Sequence, residues 1–107
     1  LMTILALSNG DRELSQQAVR LASAAEVFAP NLPLVSDSSL FAHHVAMIHS
    51  TGVEREHHKY EALRLAQFTP GGGFGELMRA HLYLELEQYE LAKQSVVAAA
   101  SDGDLHA

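Results

Sequence analysis

The sequence predicts an all-α protein built from antiparallel helical hairpins. Three observations carry this. No long stretch alternates apolar and polar residues, and β-branched residues do not cluster, so strand signals are poor. Alanine, leucine, glutamate and glutamine dominate, and these favour helices because they lose little side-chain freedom there. Tight turns at Asn9-Gly10, Thr51-Gly52 and Glu87-Gln88 alternate with longer loops, as in hairpins joined in series.

The N-terminal stretch "LMTILAL", Leu1 to Leu7, reads as the end of an apolar helix, and the chain as a piece of a longer or processed protein. Asn9-Gly10 can close that helix in a left-handed cap, and Asp11 can open the next. The spacing of Leu14, Ala18, Leu21, Ala22 and Ala25 predicts a helix from about Arg12 to Val27. "APNLP", Ala29 to Pro33, stops it, since proline is tolerated in a first turn and not in an interior. A second helix is expected to about Ser50, with Leu34, Phe41, Val45 and Ile48 inward; Ser36 or Asp37 is an alternative cap.

After Ser50 to Gly52, a third helix is expected from about Val53 to Phe68, with Tyr60, Leu63 and Ala66 or Gln67 on one face. "TPGGGFGEL", Thr69 to Leu77, breaks the pattern, with Phe74 expected to anchor the next hairpin. Leu77, Ala80, His81 and Leu84 mark a helix from about Gly75 to Leu86. The last runs from about Tyr89 to Ala100, with Ala92, Val96 and Ala99 inward, and "SDGD" ends it. The expected hairpins are about 1–28, 33–68 and 75–101, in one helical domain over 1–107.

Composition narrows the function classes. The net charge is −6 and the seven Lys and Arg residues are scattered, which disfavours a direct nucleic-acid contact by this segment. There is no cysteine, hence neither a disulfide framework nor thiolate chemistry, which fits a cytoplasmic setting. No apolar run approaches the roughly 20 residues that cross a bilayer, and "LMTILAL" lacks the flanks of a signal peptide.

Motifs that carry chemistry are few. The glycine loop is not a P-loop: five residues on from Gly71 stands Glu76, and the next residue is Leu77, where the motif needs lysine. The dinucleotide fingerprint fails at the same residue, and Glu76 in a first helical turn would repel a phosphate. The loop is therefore read as a joint between two hairpins. Seven histidines are the other candidates. Glu54, His57, His58 and Glu61 have metal-ligand spacing on one helix, and "EREH" is the E-x-x-H element of di-iron bundles. The chain offers no second such element, so the charged helix face is read as solvated, with charge pairs. His81, between Leu77 and Leu84, and His44 are read as packing residues. "SDSS", Ser36 to Ser39, lacks a nucleophile elbow, and the C-terminal "DGD" is too short for a calcium loop. No catalytic residue, metal or cofactor is expected.

Internal similarity points further. "AVRLA" (Ala18 to Ala22) and "ALRLA" (Ala62 to Ala66) nearly coincide, 44 residues apart, whereas Gly52 and the matching turn residue Glu87 are 35 apart. The last hairpin resembles a tetratricopeptide repeat: Ala80, Tyr83, Tyr89, Ala92, Val96 and Ala99 stand at that repeat's small, aromatic and alanine positions. It departs where Glu76 replaces the preferred tryptophan, where Glu87 replaces the preferred glycine, and in lacking a closing proline. Nearly the whole chain, through "GDRELSQQAVRLA" and "LPLVSDSSLFAHHVAMIHSTG", resembles the helical-repeat region of large LuxR-type ATPase transcriptional regulators.

That resemblance implies a short, tetratricopeptide-like right-handed solenoid acting as a non-catalytic sensor or interaction module of a multidomain bacterial regulator. A protein or small-molecule effector would bind in the repeat groove, with Phe41, His44, Ile48, His81 and Tyr83 as groove candidates. The flanking domains of the parent chain are the other partners implied. Short arrays leave apolar ends, here Leu1, Ile4, Leu5 and Val97, so a homodimer is a natural outcome. The alternatives are a plain scaffold or adaptor, and a metal-dependent enzyme using His57, His58 and nearby carboxylates.

Overall fold

The structure, a computed structural model, describes residues 12–102. The expectations on Leu1, Ile4, Leu5 and the Asn9-Gly10 cap fall outside the described residues. Among the described residues five α-helices succeed one another: α1 (Arg12–Phe28), α2 (Pro33–Ile48), α3 (Gly52–Leu65), α4 (Gly73–Glu85) and α5 (Tyr89–Asp102). Among the described residues there is no strand. The chain divides into two compact units, Leu1–Phe68 and Thr69–Ala107. The division falls at the start of the glycine-rich loop, where the sequence places its joint.

In the first unit α2 packs against both α1 and α3. The amide of Gln16 reaches Glu54, and Arg64 reaches Glu26, so α1 and α3 run the same way and α2 runs against them. Proline starts α2 as expected: Leu32 is the extended N-cap and Pro33 opens the helix. Ser36 and Asp37 are therefore inside α2, both buried, and neither is its cap. Ser36 donates instead to the carbonyl of Pro33.

Helix α2 is buried over most of its circumference, from Ser36 and Leu40 through His43, His44 and Met47. A helix covered on two sides has no single apolar stripe. Hence two inward expectations fail. Leu34, in the first turn, is 75% exposed, and Ile48, the last helical residue, is also exposed. Val45 is buried as expected. In α1, Ala18 is buried but Leu21 points outward, and Ser15 is fully buried in its place.

The α2–α3 turn is tied down from both sides. Ser50 donates to the carbonyl of Ala46, and the guanidinium of Arg55 donates to that of Met47 at 3.1 Å. A cation there also favours the negative end of α2. Gly52 opens α3 with φ +60°, a left-handed conformation that a Cβ disfavours. The buried stripe of α3 is His58, Ala62 and Leu65, so Tyr60, expected inward, is exposed.

The second unit is the α4/α5 hairpin. Gly72, the N-cap of α4, takes φ 104°, which glycine alone adopts freely. The buried positions of α4 are Gly73, Gly75, Arg79, Ala80, Leu82 and Tyr83. Arg79 takes an interior position and donates to the carbonyl of Gly75 at 2.9 Å. The expected face is thus turned: His81 and Leu84 are exposed, and Phe74, expected to anchor the hairpin, is 65% exposed. On α5 the buried residues are Ala92, Ser95 and Ala99, and Val96 faces outward. Small side chains thus line α5's buried side, which lets two helices approach closely.

Helix α4 ends in a paired cap. The N–H of Gln88 donates to the carbonyl of Tyr83 at 2.8 Å, and that of Glu87 to Leu84 at 3.1 Å. This pattern requires a left-handed residue just beyond the helix. Glu87 supplies it with φ 59°; among the described residues it is the only non-glycine with positive φ.

Candidate functional site

The most distinctive polar arrangement lies between α2 and α3. His43 projects from α2 and His58 from α3, each an interior position of its helix. Both are almost wholly buried, at 3% and 4% exposure. Their Nδ1 atoms stand 3.0 Å apart, within hydrogen-bond distance. Two bare lone pairs would repel at that distance, so one Nδ1 bears a hydrogen and the other accepts it. The neutral rings must therefore be opposite tautomers. His57 adds a third ring, exposed to solvent, with its centroid 5.4 Å from that of His58 and 6.3 Å from that of His43.

Burial favours the neutral rings. It is the largest cause holding the pKa of His43 down to about 4; neighbouring His58 lowers it further, Glu61 and Glu26 pull the other way, and His57 adds a smaller depression. His58 is also shifted down, by burial first and then by His57, against Glu54 and Glu61. A set of polar bonds flanks the pair. Ser39 of α2 donates to Glu26 of α1 at 2.7 Å, and Arg64 of α3 bridges Glu26 at 3.2 Å and Glu61 at 2.8 Å. The hydrogen bond to Glu61 is the main reason the Arg64 pKa is raised.

These contacts account for the run Glu54, His57, His58, Glu61. It does lie on one helix, but its members are engaged separately. Glu54 receives Gln16, Glu61 receives Arg64, and His58 meets His43. Among the described residues, no group of three or more His, Cys, Asp or Glu could hold a metal ion. What the arrangement can do chemically is hold, share or take up a proton.

Among the groove candidates, His44 and Tyr83 are buried, Phe41 is half-buried, and Ile48 and His81 are exposed. Phe41, His44 and Ile48 belong to the first unit, and His81 and Tyr83 to the second. Reading along single helices misses His43, because its partner lies 15 residues away on the next helix. One signal is present in the sequence: the doublets His43-His44 and His57-His58 stand on consecutive helices.

No known family model, curated protein or solved structure matches the chain. Among the described residues no helix is long and apolar enough to cross a membrane.

Proposed function

We propose that the chain is a non-catalytic interaction module, a piece of a tetratricopeptide-like solenoid that serves as the sensor or docking segment of a multidomain transcriptional regulator. The observation that carries this reading is the α4/α5 hairpin. Its interior sets the small residues Ala80, Ala92, Ser95 and Ala99 beside the large Leu82 and Tyr83, while Leu84, Tyr89, Val96 and Val97 are exposed. These exposed apolar side chains of one hairpin form the proposed interaction surface, and Val97 is an end residue expected to need a cover.

The likeness to a tetratricopeptide repeat supports the same reading in part. Ala80, Tyr83, Ala92 and Ala99, at motif positions, are buried; Tyr89 and Val96, also at motif positions, are exposed. An effector protein would offer an apolar helical face to the outward residues.

The test is panning of a displayed library of amphipathic helical peptides against the folded chain. Enriched peptides should lose binding to Leu84→Glu and Val97→Glu and keep it to Glu90→Gln, an exposed change on the same hairpin. A folded chain that enriches no peptide, or peptides indifferent to all three changes, would count against this function.

A further inference from the structure

The buried histidine pair goes beyond that reading and is independent of it. An apolar pair at the same two positions would hold α2 to α3 equally at any pH. Facing imidazoles do not. With no added proton, one Nδ1–H donates across the 3.0 Å contact. A first added proton goes to the far nitrogen, Nε2, of the donor ring, and the contact survives as a charge-assisted bond. A second proton must go to the accepting Nδ1 itself. Two N–H donors then face each other on two positive rings, and the contact cannot persist.

We propose that the His43–His58 contact is a proton-operated clasp between α2 and α3, closed while one of the two facing nitrogens carries hydrogen and opened when both do. The groups around it fit this role. From α1, Glu26 faces His43; from α3, Glu61, His57 and His58 do. Glu54 and Glu61 act on His58. Both Glu26 and Glu61 are ion-paired with Arg64, which offsets one of their two negative charges, and burial outweighs the pull toward protonation that remains. Opening exposes both rings to water and restores their ordinary affinity for protons, which makes it steeper in acid than loss of one group would be.

The device is local. In the second unit the described histidine is His81, exposed on α4. Acid should therefore loosen the first unit while leaving the α4/α5 hairpin closed.

Amide hydrogen exchange on the whole chain, corrected for intrinsic rates, tests this at pH 7.5 and 5.0. With His43 alone titrating near 4 when closed and near 6.5 when open, the opening constant of α2 and α3 amides should rise at least about 30-fold, and His58 adds to the rise. Amides of α4 and α5 should not change, and the rise should vanish in His43→Leu/His58→Met. Unchanged protection of α2 and α3 at pH 5.0 would overturn the proposal, as would an equal rise in α4 and α5. So would the same rise in the apolar variant. If that variant does not fold, the comparison of the two units in the wild type decides alone. Stoichiometric zinc retained by chelator-treated wild type and lost in His43→Leu/His58→Met would also overturn it, because the facing nitrogens would then be metal ligands.

Discussion

Replacing Glu87 with glycine should stabilise the α4/α5 hairpin. Glu87 sits just past α4 at φ 59°, held there by the paired cap bonds from Gln88 to Tyr83 and from Glu87 to Leu84. A left-handed residue that carries a Cβ costs roughly 1–2 kcal/mol, from its clash with the following carbonyl. Glycine removes that cost but gives the unfolded chain about 0.4–1 kcal/mol of extra freedom. The net expectation is a gain of about 0.5–1 kcal/mol, or roughly 3–6 °C in melting temperature for a domain of this size. The carboxylate also stands at the negative end of α4, where an anion is disfavoured. Glu87→Ala removes that charge and keeps the Cβ, so it isolates the backbone effect. Thermal and urea unfolding followed by circular dichroism should give the order Gly above Ala, with Ala within a few tenths of a kcal/mol of wild type. Equal stability of the glycine and alanine variants would refute the reasoning, because strain at φ 59° would then not be what limits the cap.

Two further predictions use the same physics. Gly52→Ala should destabilise the chain by about 1–2 kcal/mol; an added Cβ meets no atom within 4 Å, so the cost comes from φ +60° alone, and urea unfolding should show Gly52→Asn to be milder. For His43, the folded pKa of about 4 lies below the ordinary value. Its contribution is therefore present above about pH 6.5 and is lost as pH falls toward 4. Between pH 7.5 and 5 this removes about 2 kcal/mol, and urea titrations of wild type and His43→Leu should differ in pH slope by that amount.

The helices are legible in the sequence because their punctuation is strong. Prolines fix the start of α2, the glycines of Thr69 to Gly73 separate the two units, and α5 starts at Tyr89 as expected. The interior faces are less legible, and for one physical reason. His58 and Arg79 occupy interior positions that a count of apolar residues assigns to solvent, because His43 and the Gly75 carbonyl satisfy them. Apolar spacing accordingly turns the faces of α3 and α4 toward Tyr60 and Leu84, which are exposed. Burial of α2 on several sides likewise hides the difference between Val45, inside, and Ile48, outside. The candidate site is half visible: spacing marks His58, but as a metal ligand beside Glu54 and Glu61. Its true neighbour comes from another helix, and single-helix spacing contains no such information.

The shared hydrogen between His43 and His58 can be read from the long-range proton–nitrogen spectrum of the imidazole rings at pH 7.5. Both rings should be neutral, one as the Nδ1–H and the other as the Nε2–H tautomer; His58 should titrate below the ordinary histidine value and His43 near 4. Two rings in the same tautomer, titrating near the ordinary histidine value, would contradict the account, because no hydrogen would then lie between the two facing nitrogens.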